Sequence, residues 1–258
     1  MGDSLLLGMR YHPDTLDSPA TPNSVSNGEN IHQYERIEAA LARELVGRLV
    51  VGAAGVISGI KPASLVNYVP HVLESYGIHP RAARAAEREA IRCCARNLDH
   101  FGLRLIVLDR RGGRVVLFIY RPCALNQVLA HSDVRSLLTV TGYDIRSLDT
   151  VVSTLRQRMA SYYGADSHRV ASFPHEVGLL LGYPAEDVRG FMAGKKESCR
   201  GPWKAYGDVK AAQTRFRYIT NCERHCRERF AAGESFAELL AHPSAMRIPS
   251  LSYNYNIL

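Results

Sequence analysis

The sequence predicts an α+β fold, a mostly helical domain around a small antiparallel β-sheet, and three of its features carry that reading. Leu103–Leu108 and Arg114–Tyr120 are dense in branched and aromatic residues and flank Asp109-Arg-Arg-Gly-Gly113, the pattern of a β-hairpin with a glycine-containing loop. Pro62 and Pro70 bracket Ser64-Leu-Val-Asn-Tyr-Val69, a candidate third strand. Most of the remaining chain repeats its apolar residues at three- and four-residue steps, the helical period. The hairpin strands are apolar almost throughout, so helices are expected to cover both faces of the sheet.

The elements follow in order. Residues 10–30 are rich in Pro, Ser, Asn and Asp and carry almost no apolar periodicity, so residues 1–30 read as a disordered arm. A single domain is expected over 31–258. Ile37, Ala40, Leu41, Leu45 and Leu49 share one helical face. A helix from about Pro80 carries Ala86, Ala90, Cys94 and Leu98 inward and ends at Gly102. After the hairpin, Ser132 is placed to cap a helix closed by Gly142, and Leu148, Val151, Val152, Leu155, Met159 and Tyr162 form the next apolar stripe. Two short helices fall within 174–192. A long helix then runs from Asp208 to about Ala232, with Val209, Ala212, Phe216, Ile219, Cys226 and Phe230 inward. Ser235-Phe-Ala-Glu238 is a capping box that opens a last short helix.

Composition narrows the classes. Of 258 residues, 46% are hydrophobic and 22% charged, which excludes wholesale disorder. The formal charge of +7 favours anionic partners: nucleic acid, a phosphorylated ligand or an acidic protein. The longest apolar run, Leu49–Ile60, is broken by small and polar residues and is too short to span a bilayer, so no membrane partner is expected. The start MGDSLLLGMR lacks the basic opening and continuous apolar stretch of an export signal. The six cysteines follow no framework spacing, as free thiols in a reducing compartment would, and a cytoplasmic protein is the expectation.

Phe173 to Phe191, FPHEVGLLLGYPAEDVRGF, resembles a bacterial family known as domain of unknown function 3793. The likeness continues through Gly59-Ile-Lys61-Pro62, Tyr120-Arg121-Pro122, Trp203-Lys-Ala-Tyr206-Gly207-Asp208, the helix with Cys222, and Gly233 to Leu240. The resemblance implies no agreed activity and no catalytic residues. It implies a setting in iron or redox physiology, with a flavodoxin or another acidic redox protein as the partner.

Five motifs compete for a functional reading. Counted from Pro174, Gly178, Gly182 and Val188 stand at the small, turn and buried positions of a helix-turn-helix, a frame shared by many DNA readers. Its second helix opens Pro184-Ala-Glu-Asp187, however, and carboxylates there would be repelled by phosphates, so nucleic acid is the disfavoured partner. Cys222, His225 and Cys226, with Cys199 upstream, could supply soft-metal ligands, although their spacing is not C-x2-C and Cys226 lies on an apolar stripe. Ser58-Gly-Ile-Lys61 matches the S-x-x-K of acyl enzymes without their partner motifs. His175-Glu176 is not a zinc-protease motif, because Leu179 stands where the second His belongs. Last, Lys195, Lys196, Arg200 and Lys204 surround Trp203, the single tryptophan, in a Gly/Pro-bearing loop that suits a flat anion such as a flavin, a haem or a nucleotide; the plainer reading, which the residues favour, is a solvated loop with Trp203 plugged into the core.

The reading that results is a non-catalytic or accessory binding protein. Its anionic ligand would be held by Lys61, His175, Glu176 and the Lys195–Lys204 loop. A DNA-binding regulator built on 174–191 is the second reading, and an enzyme with a reactive cysteine the third. The residues do not name a cofactor.

Overall fold

The computed structural model describes residues 27–164 and 172–243, with side chains from residue 33 onward. Residues 1–26 of the arm read from the sequence lie outside the described residues. Helix α1 spans Asn27–Ile57 and so begins inside the segment assigned to that arm. It kinks at Ala53, where φ is −129°, and Gly52 beside the kink allows close approach to strand β1, Ala63–Tyr68. A 3₁₀ helix, His71–Tyr76, leads to α2, Pro80–Asp99.

Strands β2, Arg104–Arg111, and β3, Arg114–Tyr120, form the expected hairpin, but with a tighter turn than the sequence suggested. Only Gly112 and Gly113 lie outside the strands, with φ of +54° and +76°, the left-handed pair that a two-residue hairpin turn requires. Strand β1 supplies the third strand, and the order is β1-β3-β2, antiparallel throughout. A bulge between Val107 and Asp109 leaves Leu108 as the extra residue in β2.

The chain continues through α3, Pro122–Ala130, α4, Ser132–Val140, and α5, Leu148–Gly164. His131 rather than Ser132 occupies the N-cap of α4, and Ser132 is its first helical residue. Next come α6, Val177–Leu180, and α7, Ala185–Met192. A ribbon that the sequence reading lacked, β4 (Cys199–Arg200) and β5 (Lys204–Ala205), precedes α8, Val209–Ala231, and α9, Phe236–Ala241. Asp208 caps α8 by accepting from the Ala211 N–H, and the Ser235/Glu238 capping box opens α9. Val209 and Tyr162, both read as inward, are partly exposed at helix ends.

Strand β3 divides the interior. Val115, Leu117 and Ile119 pack with α1, α2 and the Cys226–Leu240 part of α8 and α9. Val116, Phe118 and Tyr120 pack with α3 to α7. Helices thus cover both faces, as the unbroken apolar strands required. A third, smaller cluster joins Trp203, Ala205, Ala212, Phe216 and Ile219, tying the β4–β5 ribbon to α8. Among the described residues no helix is long and apolar enough to cross a membrane.

Phe118 is fully buried at the centre of the sheet. Replacing it with Asp places an unpaired carboxylate there, at a cost of several kcal/mol and comparable with a domain's whole net stability. Phe118→Asp is expected to lose its cooperative thermal transition by circular dichroism. A normal melting curve would show that β3 is not central.

Candidate functional site

The Trp203 loop is a short ribbon. Cys199 pairs with Ala205 and Arg200 with Lys204, and the Gly201 N–H donates to the Trp203 carbonyl at 3.0 Å to close the turn. Trp203 is only 9% exposed. Its indole stacks on Tyr183 with centroids 4.7 Å apart and meets Phe216 edge-on at 4.6 Å. The indole N–H donates to Asp187 Oδ2 at 2.7 Å, and Asp187 Oδ1 accepts from the Tyr206 N–H at 2.7 Å.

Glu186 and Asp187 both stand in the first turn of α7, where carboxylates favour the helix dipole. Glu186 is exposed, but Asp187 is 5% exposed, turned inward and doubly hydrogen-bonded. The helix-turn-helix spacing folds as a single turn, α6, a turn at Gly182 with φ +84°, and then α7. Gly178 fits its small position, since a Cβ there would lie 3.0 Å from Tyr183 and Val188.

The unit and the ribbon enclose a cleft of about 350 Å³. It is lined by Leu65, Phe173, His175, Val177, Leu181, Tyr183, Val188, Phe191, Pro202 and Trp203, together with the buried Asp187 and, at the part-exposed rim, Lys204. The exposed His175 ring stands 4.8 Å from Phe191 and 5.4 Å from Phe173. Lys204 Nζ lies 5.5 Å from the Phe191 ring centre and 3.2 Å from Glu197 Oε2. Arg200 also bonds Glu197, at 2.5 Å, and together with Lys204 it holds that carboxyl below the usual range.

Of the residues singled out in the sequence, His175, Trp203 and Lys204 come together in this cleft. The others lie elsewhere. Lys195 and Lys196 are exposed in the loop after α7 and do not line it. Lys61 packs over Gly55, where a Cβ would fall 2.6 Å from Lys61 Cδ and 2.8 Å from Glu223 Oε1. Burial lowers the Lys61 ammonium pKa, against the opposing pull of Glu223. Glu176 is 4% exposed and accepts from Arg158 Nη1 at 2.7 Å. Arg158 also donates to the Thr141 carbonyl and sits over the Tyr143 ring, so Glu176 anchors the His175 turn to α5.

The cysteines do not assemble. Cys222 and Cys226 are buried on the inner face of α8, His225 is exposed and Cys199 is half-buried on β4. Among the described residues, no three His, Cys, Asp or Glu side chains gather to hold a metal ion. Burial pushes the Cys226 thiol up, and the fully buried Cys94 thiol up to about 12. Among the other residues that line the cleft, Phe173, Tyr183, Asp187 and Phe191 were not candidate site residues in the sequence reading. The only local hint was an aromatic at each end and at the turn of a short helical hairpin.

Two outcomes follow from this geometry. Trp203→Phe keeps most of the ring packing but leaves Asp187 Oδ2 buried without its donor, which is expected to cost about 1–3 kcal/mol in denaturant melts. Equal stability in Trp203→Phe and wild type would remove the Asp187 bond from the account. In native protein at pH 8, a disulfide reagent is expected to label the exposed Cys123 first. Burial shields the Cys94 and Cys226 sulfurs from the reagent and also raises their pKa, so both should react only after denaturation.

The family described as protein of unknown function DUF3793 matches residues 49–240, from the second half of α1 through most of α9. No curated protein and no solved structure matches the chain. The matched span contains the whole sheet and every residue that lines the cleft. On that match, over well more than half of its length, the chain belongs to the DUF3793 family.

Proposed function

We propose that the protein is a ligand-binding protein whose site is the aromatic cleft between the α6–α7 unit and the Trp203 ribbon. The ligand is a small planar aromatic anion. One observation carries the reading: Phe173, His175, Tyr183, Phe191 and Trp203 surround one concavity that has Lys204 at its rim. Flat rings of this kind offer stacking faces, and a lysine beside them supplies the charge that selects an anion.

Size narrows the class further. A volume of about 350 Å³ is at the low end for small-molecule pockets, which suits one fused ring system better than a macrocycle such as haem. The polar groups of the cleft support binding more than chemistry. Asp187 is already occupied by Trp203 and Tyr206, so His175 and Lys204 are the polar groups that meet the ligand, Lys204 by exchanging its part-exposed pairing with Glu197. The redox setting implied by the family likeness makes flavin mononucleotide the first probe, with adenosine monophosphate as a second planar phosphate.

Trp203 is the only tryptophan and lies in the wall, so its fluorescence reports on the cleft directly. Flavin mononucleotide or adenosine monophosphate is expected to quench it saturably. Phe191→Ala should weaken that binding by about 1–3 kcal/mol, as for loss of one stacking ring. Lys204→Glu should weaken it as well, while Lys195→Glu with Lys196→Glu should not, since neither lysine lines the cleft. Saturable quenching that ignores both cleft variants would remove the ligand from this site.

A further inference from the structure

Away from the cleft, α2 and the hairpin that follows it both carry exposed arginines. In α2, Arg81, Arg84, Arg88, Arg92 and Arg96 recur at three- and four-residue steps, and all are exposed. Such steps advance about 5.5 Å each along a helix axis, so the row extends over roughly 22 Å. Arg92 and Arg96 share Glu89 as a partner. The first three arginines lie beyond that carboxylate, toward the helix start.

The packing of α2 shows which side this row occupies. Ala86 and Ala90 face α1 through Ile37 and Leu41, whereas Ile91 and Leu98 face the sheet. Glu87 accepts from Arg110 of β2. At about 100° per residue, Arg84 and Arg88 are rotated from Glu87 in the sense opposite to Ala86 and Ala90, away from α1 and past the sheet edge. That edge is β2, the outer strand of the order β1-β3-β2. The Arg110–Glu87 pair brings the hairpin tip to the first half of α2, where Arg110, Arg111 and Arg114 are exposed around the Gly112–Gly113 turn. Arg114 lies over the Tyr163 ring at 5.3 Å, and Arg111 approaches Asp109 at 3.8 Å. Arg110 thus continues the α2 row through Glu87, while Arg111 and Arg114 lie against the Tyr163–Gly164 end of α5, and the carboxylates bonded to these hairpin arginines are Glu87 and Asp109.

We propose that this face binds the phosphate backbone of duplex nucleic acid, without reading its sequence. Arginine offers a planar fork of donors that matches phosphate oxygens and stays charged at any physiological pH. A row of such forks on a helix, continued at the hairpin tip by Arg110, suits a surface of closely spaced phosphates. An acidic protein fits less well, because protein interfaces carry an aromatic or apolar core inside a polar rim. None of the large exposed hydrophobics among the described residues lies on α2 or the hairpin. The helix-turn-helix unit takes no part in this surface, and the proposal does not depend on the cleft.

The test is fluorescence anisotropy with a labelled DNA duplex of about 20 base pairs, titrated at about 50 and 200 mM salt. Binding is expected, weakening steeply with salt at a slope of about −0.9 per phosphate contact. The combined Arg81→Gln, Arg84→Gln and Arg88→Gln variant should bind about tenfold or more weakly at low salt and show a slope shallower by about three contacts. A charge-matched control on α8, Lys210→Gln with Arg217→Gln and Arg224→Gln, should bind as wild type does. Both variants change exposed residues, and their melting curves are expected to match wild type. Three results would overturn the proposal: no binding at low salt, equal losses in the two variants, or polyglutamate displacing the duplex as well as unlabelled DNA does. The second would reduce the effect to net charge, and the third would make the face a dock for an acidic protein.

Discussion

Val115, Leu117 and Ile119 face one helical layer and Val116, Phe118 and Tyr120 face the other, so β3 can be neither an edge strand nor a strand wetted on one side. Two neighbours must pair with it, and helices must cover both of its faces. The hairpin supplies β2 at once. The second neighbour has to come from elsewhere in the chain, and β1 arrives because Pro62 and Arg121 are joined: the Arg121 N–H donates to the Pro62 carbonyl at 2.9 Å. The Arg121 side chain then bonds the Val56 and Ile57 carbonyls, ending α1 where β1 must begin. One arginine therefore links the end of the central strand to the helix and the strand that flank it.

The same junction positions the cleft. Gly182, in the turn between α6 and α7, presses on Pro62 so closely that a Cβ would fall 2.7 Å from its ring. Its positive φ also requires glycine, so two independent constraints agree on that residue. Gly190 in α7 faces Tyr206 at 2.5 Å from a would-be Cβ, which locks the helix against the segment that follows the ribbon. The segments Gly59–Pro62, Tyr120–Pro122, Phe173–Phe191 and Trp203–Asp208 are distant in sequence but meet one another here. A family likeness carried by those segments is a likeness in how the cleft walls are joined.

The legible parts of the fold were those specified by neighbours in sequence. The hairpin could be read because two apolar runs flank a glycine pair, α8 because Asp208 caps a long amphipathic stripe, and α9 because Ser235 and Glu238 close on each other. The cleft was legible only in part. His175, Trp203 and Lys204 stood out as aromatic or basic residues in loops, but Lys195, Lys196 and Arg200 carried the same signal and lie outside it. Charge density along the chain says nothing about which cations turn toward a common cavity. The ribbon β4–β5 was missed because two-residue strands have no periodicity to detect.

Buried acids were the hardest to read, and they explain what the 174–192 unit is for. An acid in the first turn of a helix has a sufficient local reason to be there, so nothing in the sequence around Asp187 asks for a further partner. Its partners come from sixteen and nineteen residues downstream, in the Trp203 indole and the Tyr206 N–H. Glu176 likewise bonds Arg158, eighteen residues upstream across α5. Both carboxylates of this hairpin that are buried are therefore directed to neighbouring elements. Leaving either one unpaired would cost more than an ordinary hydrogen bond contributes, so each bond strongly disfavours any other seating of the unit. Glu176 fixes the turn that carries His175, and Asp187 fixes the plane of Trp203. Two parts of the cleft lining, the turn with His175 and the Trp203 indole, are thus each held by a buried acid of one short hairpin.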